Sequence, residues 1–208
     1  RINLSPERPE ALVHAYRLGQ GTSPEELGWL PFSAYAGPIG GISATPRDMT
    51  QYIKAHLGTG EFAGRNFLQP QTLATMHAPH FGNHAAVNQF GMQFFTGSWN
   101  GRRLVEHGGN WPYNISMLTL MPEEKLGIFI ATVGDATGSA RFMPAWEVRA
   151  RLLTRLFGTQ TYEMQPGAEA PLGEYVGRYQ QLQRNHSTLE VLLEEIDRLE
   201  DAVYRELL

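Results

Sequence analysis

Residues 90–133 read FGMQFFTGSWNGRRLVEHGGNWPYNISMLTLMPEEKLGIFIATV, and the apolar pattern of this stretch decides the fold. The pattern predicts four strands, which cover residues 90–96, 102–106, 114–121 and 125–133. They are joined by short turns at residues 97–101, 107–113 and 122–124. Because parallel neighbours need a long crossover, these turns predict an antiparallel meander. The last strand is almost entirely apolar, which is typical of a strand covered on both faces.

Helices are predicted on both sides of this segment along the chain. Thr45, Pro46 and Asp48 form a helix start with Thr45 as the N-cap, and apolar residues then recur at helical spacing. A second short helix is expected from Pro70 onward. Residues 142–157 predict an amphipathic helix whose apolar side holds Trp146, Leu152, Leu153 and Leu156. Together these elements predict an α+β fold, an antiparallel sheet flanked by helices.

The composition limits the classes of function. The chain has 208 residues, of which 42% are hydrophobic and 18% charged, and this is a globular composition. A net charge of −4 gives no basic surface for nucleic acid, so no nucleic-acid partner is expected. The chain has no cysteine, which excludes disulfides and thiolate chemistry. Its first residues do not have the pattern of a signal peptide, and no apolar run has the length that spans a bilayer.

The segment from Val105 to Asn110, VEHGGN, is the first candidate for chemistry. Its two glycines allow a substrate or another backbone to approach closely, and His107 beside them can polarise a carbonyl or carboxylate. The N–H groups at a strand edge here would also suit an oxyanion. Trp111 and Tyr113 follow and would line the mouth of a cleft or pack at its rim. The alternative reading is a tight turn that carries an exposed histidine.

Two further groups of residues partly match known kinds of site. His77, His80 and His84 have a spacing seen among metal ligands, but Pro79 interrupts any helix that would align them and no carboxylate lies between them, so no metal is expected. Residues 41–45, GISAT, nearly match a nucleophile elbow. That elbow needs a buried strand before it, and the preceding glycine-rich residues cannot form one. Ser43 is therefore expected to be a loop residue ahead of the Thr45 cap.

Several segments, in their order along the chain, resemble the class C β-lactamase and penicillin-binding-protein-like serine hydrolases. Residues 37–49, GPIGGISATPRDM, are similar to the stretch that leads into a helix in that family. Residues 90–94, FGMQF, and the segment from Met121 to Val133 are similar to its strand and hairpin patterns. His107, Gly108 and Gly109 match the His-Gly-Gly form of its third active-site motif, which is Lys-Thr-Gly in other members.

This resemblance implies a β-lactamase/transpeptidase-like fold and an acyl-enzyme mechanism on an ester, an amide or a D-amino-acid peptide, with no cofactor. It implies catalytic roles for His107 and for Asn110, whose backbone N–H would be one oxyanion donor. Gly108, Gly109, Trp111 and Tyr113 would contact the substrate. The parent protein is expected to be periplasmic or secreted. A second reading keeps the fold as a non-catalytic binding or interaction module.

The chain departs from the family pattern at the nucleophile. No serine is followed by lysine at the third position, so the Ser-x-x-Lys motif is missing. No tyrosine is followed at the second position by asparagine or serine, so the second motif is missing as well. Both motifs normally lie upstream of the part seen here. The sequence therefore predicts an incomplete domain that lacks its N-terminal half and is inactive alone.

The domain organisation is predicted in three parts. Residues 1–158 would be the C-terminal part of the hydrolase domain, residues 159–171 a linker, and residues 172–208 the start of a C-terminal extension. The extension ends in a predicted amphipathic helix from Ser187 to Leu208, which begins with a capping box. Its apolar stripe would be buried on another copy of the chain, so a homo-oligomer is expected.

Overall fold

The fold is described from a computed structural model, which describes residues 12–18, 23–28, 40–82, 87–111, 114–133, 144–161 and 176–177. The strands are β1 (Ala15–Leu18), β2 (Pro24–Gly28), β3 (Glu61–Phe62), β4 (Arg65–Asn66), β5 (Gln89–Phe90), β6 (Phe95–Trp99), β7 (Arg102–Trp111), β8 (Asn114–Met121) and β9 (Leu126–Val133). The helices are α1 (Pro46–Leu57), α2 (Pro70–His77) and α3 (Pro144–Phe157). All of these elements lie in one compact unit, Arg1–Tyr162.

Five strands form one antiparallel sheet in the order β5-β6-β7-β8-β9, while β1–β2 and β3–β4 are separate hairpins. The long pair of β8 and β9 runs in register from Asn114↔Val133 to Met121↔Leu126. Strands that follow one another along the chain are therefore neighbours in the sheet. This confirms the predicted antiparallel meander and the α+β fold class.

The predicted strand at residues 90–96 was wrong. The chain folds back within it, so that β5 and β6 pair with one another through Phe90↔Phe95. Gln93 has a positive φ of 64°, and Gly91 N–H donates to the carbonyl of Phe94 at 2.7 Å. A side chain at Gly91 would meet the carbonyl oxygens of Met76 and Ala78 within 3 Å. The close approach to the end of α2 thus requires a glycine and bends the chain.

The predicted loop at residues 107–113 was also wrong over its first half. Strand β7 continues through the glycines to Trp111, with His107↔Leu118, Gly109↔Ser116 and Trp111↔Asn114 as partners on β8. The two glycines take ordinary places in the ladder. The sequence pattern predicted a turn at these two glycines because glycine is depleted in strands.

Helices cover both faces of the sheet. α1 begins as predicted, with a capping box in which Thr45 Oγ1 accepts from the Asp48 N–H and the Asp48 carboxylate accepts from the Thr45 N–H. Residues of α1 and α2 pack on one face of the sheet, around the buried residues Phe94, Val105, Leu118 and Leu120. α3 packs on the other face, around Trp99, Leu104, Met121 and Ile115.

The buried side of α3 differs from the predicted one. Ala145 and Leu153 are buried, and Ala150 and Phe157 pack beside them. Trp146, Leu152 and Leu156 are 45%, 40% and 55% exposed. The buried residues recur at spacings of three to five positions, so α3 presents a narrower stripe to the sheet than its apolar content suggests.

The predicted linker and C-terminal extension lie outside the described residues, apart from residues 159–161 and 176–177. Their boundaries therefore stay predictions. Within the part of the chain that the structure describes, no helix is both long and apolar enough to cross a membrane.

Candidate active site

Among the described residues, the outer half of β7 has a partner strand on one side only. Strand β6 pairs with β7 as far as Phe95↔Glu106 and then ends. On the other side, β8 pairs with β7 through to Trp111. Among the described residues, the segment from His107 to Trp111 therefore presents an open backbone edge. We call this segment the free edge.

The hairpin turn before β7 determines which N–H groups face the free edge. Asn100 and Gly101 both have positive φ, 48° and 78°, as the two central residues of a type I′ turn require. The residues flanking such a two-residue turn form a hydrogen-bonded pair, so the N–H of Arg102 points toward β6. The direction alternates along a strand. The N–H groups of Gly108 and Asn110 therefore point out of the free edge as two neighbouring donors.

His107 lies between these donors and the end of β6. Its partner Leu118 belongs to the core under α1 and α2, so the side chain of His107 is on that face of the sheet. The imidazole is exposed, and its ring centre lies 6.1 Å from that of Phe95. Phe90 packs against Phe95 in turn in a tilted arrangement, with ring centres 4.9 Å apart. The arrangement gives one polar ring beside an aromatic surface and two backbone donors.

Neighbouring side chains lie close to both glycines of the motif. A Cβ on Gly108 would lie 3.0 Å from Cζ2 of Trp146, which covers it from α3. A Cβ on Gly109 would lie 2.6 Å from the hydroxyl oxygen of Ser116 on β8. Contact with substrate, which the sequence predicts for both glycines, remains a prediction. A larger residue at either position would require Trp146 or Ser116 to shift.

The structure describes only part of the remaining predicted site residues. Asn110 is exposed on the free edge, next to Trp111 at the end of β7. The position of Tyr113 and the side chain of Trp111 lie outside the described residues. Ser43 is exposed, and the described residues 40–45 just ahead of α1 contain no strand.

His77 and His80, two of the three histidines with the spacing of metal ligands, lie in different surroundings. His77 is buried, while His80 is exposed and contacts the carbonyl oxygen of Thr75 through Nε2 at 2.6 Å. His84 lies outside the described residues. No group of three or more potential metal ligands was found within the described part of the chain.

Sequence reasoning missed a buried pair of histidines between α1 and α2. Nδ1 of His56 lies 2.9 Å from Nε2 of His77, so one nitrogen donates and the other accepts. Both side chains are about 5% exposed, and both rings pack edge-on against Phe94. Burial, with a smaller effect from His77, lowers the pKa of His56 to about 4. The pair is therefore neutral at pH 7.

Sequence reasoning also missed an ion pair under the motif strand. On the face opposite His107, the Glu106 carboxylate binds the guanidinium of Arg149 from α3. Nη2 and Nε of Arg149 lie 2.5 and 2.7 Å from Oε1 of Glu106, and the Thr119 hydroxyl donates to the same oxygen at 2.6 Å. The acidic residue just before the His-Gly-Gly motif was the signal available in the sequence.

The comparisons with known proteins agree on one fold family. The β-lactamase family model matches residues 1–152. Among solved structures, the chain is similar to the octameric penicillin-binding protein homologue from Pyrococcus abyssi, with 16% identity and a TM-score of 0.55. That match covers 76% of this chain and 34% of the other, so the chain spans about a third of the length of the protein it matches. No curated protein matches the chain.

Proposed function

Because the chain belongs to the β-lactamase family, we propose that it is part of a serine hydrolase and supplies the oxyanion side of the active site. The observation that carries this proposal is the free edge of β7. There, the Gly108 and Asn110 N–H groups point outward beside an exposed His107. Preorganised N–H donors of this kind stabilise the negative charge that develops on a carbonyl oxygen during acyl transfer.

The reaction would proceed through an acyl-enzyme. The Oγ of a serine, supplied by a segment upstream of this chain, bonds to the acyl carbon of the substrate and loses its proton to a base. The oxyanion accepts a hydrogen bond from the Asn110 N–H. The bond to the leaving group breaks, the leaving group takes up a proton, and water then releases the acid. His107 would donate to the substrate or stabilise its negative charge.

The free edge favours an ester or peptide substrate over a β-lactam. Members with Lys-Thr-Gly place a hydroxyl side chain at the position of Gly108, and this chain has none there. Packing of Trp146 at 3.0 Å from the would-be Cβ of Gly108 leaves little room for a larger residue. The active site therefore relies on backbone donors and His107 rather than on a side-chain hydroxyl.

A second candidate function is a non-catalytic module with the same fold. It is favoured by the absence of Ser-x-x-Lys and of Tyr-x-Asn from all 208 residues. In that case the free edge would bind a ligand without turning it over. The two candidates differ in whether a longer protein containing this chain carries an activated serine.

Labelling with a serine-reactive alkyl phosphonate distinguishes the two functions. The 208-residue chain alone should not be labelled, whereas the longer protein should incorporate one phosphonate per molecule at an upstream serine and hydrolyse p-nitrophenyl esters. Stoichiometric labelling of the chain alone would contradict the missing nucleophile and make Ser43 the candidate. Absence of labelling and hydrolysis in the longer protein would support the non-catalytic module.

A further inference from the structure

We propose that α3 positions the free edge of β7 through Arg149 and Trp146, which makes both of them positioning residues for the hydrolase site. This inference rests on the proposed function for its catalytic meaning. Its structural basis is that α3 contacts β7 at Glu106 and at Gly108, the two positions on either side of His107. No other helix contact described here reaches those two positions.

The first contact is the ion pair between Arg149 and Glu106. The two side chains are only 13% and 12% exposed, and Thr119, whose hydroxyl completes the group, is fully buried. A buried pair of this kind loses much of its attraction to desolvation and is a poor source of net stability. It is also strongly directional, because two nitrogens of one guanidinium converge on one carboxylate oxygen. It therefore fixes the orientation of β7 at Glu106.

The second contact is the indole of Trp146 against the backbone of Gly108. Trp146 and Arg149 are three residues apart and so lie on one side of α3. Glu106 and Gly108 are two residues apart and so lie on one face of β7. One turn of helix thus meets both positions at once, from the face opposite His107.

The free edge needs such support because β6 ends at Phe95↔Glu106. Beyond that point β7 is paired with β8 alone among the described residues, and an edge strand can twist or fray. Oxyanion stabilisation depends on donors held within a few tenths of an ångström of the developing charge. The α3 contacts would therefore act on the rate of the chemical step through the Gly108 and Asn110 N–H groups.

The proposal is tested with Arg149→Gln in the longer protein that hydrolyses esters. Its kcat per folded molecule should fall about 10-fold with little change in KM, because the lost restraint acts on the transition state. Arg149→Lys, which keeps the charge, should recover part of that loss. Arg151→Gln is the matched control, since Arg151 pairs with Glu147 on the exposed side of the same helix and is 80% exposed. An unchanged kcat for folded Arg149→Gln would overturn the proposal.

A second measurement uses the 208-residue chain and does not depend on hydrolysis. In Arg149→Gln, amide hydrogen exchange at His107 and Gly109, whose N–H groups face β8, should rise about 10-fold relative to amides in the β8–β9 ladder. If Arg149→Gln does not fold, the same exchange measurement is made on Trp146→Ala, in which the replaced side chain is 45% exposed. A uniform rise across the sheet, or none, would mean a purely structural role. If β7 loosens locally in the variant but the longer protein does not hydrolyse esters, the proposed function is wrong and the positioning role of α3 stands.

Discussion

At the scale of single residues, the buried His56–His77 pair links the stability of the fold to pH. The two rings lie 5.2 Å apart at the meeting point of α1, α2 and Phe94. Arg103 donates to the carbonyl of His77 at 2.6 Å. Burial lowers the pKa of His77, the charge of Arg103 lowers it further, and Glu123 opposes this shift. Protonation of either ring would place a charge among apolar and aromatic side chains.

We expect the free energy of unfolding to fall as the pH is lowered from 6.5 to about 4. In the folded chain His56 stays neutral until about pH 4, whereas in the unfolded chain it takes up a proton near 6.5. The stabilisation is therefore fully present above pH 6.5 and is lost below it. The loss should amount to about 2 kcal/mol at pH 4.5.

Urea denaturation of the wild-type chain, His56→Gln and His80→Gln at pH 7.5 and 4.5 checks this expectation. His56→Gln should lose about 2 kcal/mol less on acidification than the wild type. His80→Gln makes the same change at an exposed ring and should behave like the wild type. An equal acid-induced loss in all three proteins would exclude the buried pair as the cause.

His107 is a single residue whose replacement should affect activity and not stability. In the longer, active protein, His107→Ala should lower kcat/KM by on the order of 10²-fold, comparable to losing one electrostatic stabiliser. The ring is exposed, so the melting temperature should hardly change. Ester hydrolysis and thermal unfolding measured on the same samples separate the two effects. Full activity in this variant would remove His107 from the site.

At the scale of elements, the sequence predicted which segments pair and failed on where strands end. The sequence pattern identified β8 and β9 by their nearly continuous apolar runs, because both faces of these strands are covered by helices. It failed at Gly91 and at the two motif glycines, since glycine has the same local signal in a turn and in a strand that another group approaches closely. What distinguishes them is a distant contact, such as Trp146 over Gly108.

The buried side of α3 can be tested with two adjacent leucines. Leu153 is fully buried, so Leu153→Ala should cost about 3 kcal/mol of unfolding free energy through lost burial and a cavity. Leu152 is 40% exposed, and Leu152→Ala should cost less than about 1 kcal/mol. Chemical denaturation of both variants gives the comparison. Equal costs would indicate that α3 buries the wider apolar side that its sequence predicts.

At the scale of the whole molecule, the candidate site combines what the sequence could and could not predict. The motif at His107 was found from local pattern and resemblance, because its residues are contiguous. The Glu106–Arg149 contact joins residues 43 positions apart, and the His56–His77 contact joins residues 21 apart. Neither has a local signature, since each depends on how helices settle on the sheet.

The predicted C-terminal helix leads us to expect that copies of this chain associate. The apolar stripe from Leu192 to Leu207 should pack on another copy of the chain, although these residues lie outside the described part. Light scattering of the full chain should then show an oligomer. Leu193→Asp with Leu199→Asp should convert it to a monomer, because two charges would be buried at the contact. A wild-type monomer would refute the expectation.

The type I′ turn at Asn100 and Gly101 has a consequence for the time course of folding. Its geometry favours the β6–β7 hairpin, and hairpins of this kind close within about 1–10 μs. The Asn100 side chain also donates to the carbonyl oxygens of Phe157 and Thr159, at the C-terminal end of α3. A hairpin that forms early would thus carry the attachment point for α3. The slow step would then be the docking of α3 across the intervening 40 or so residues.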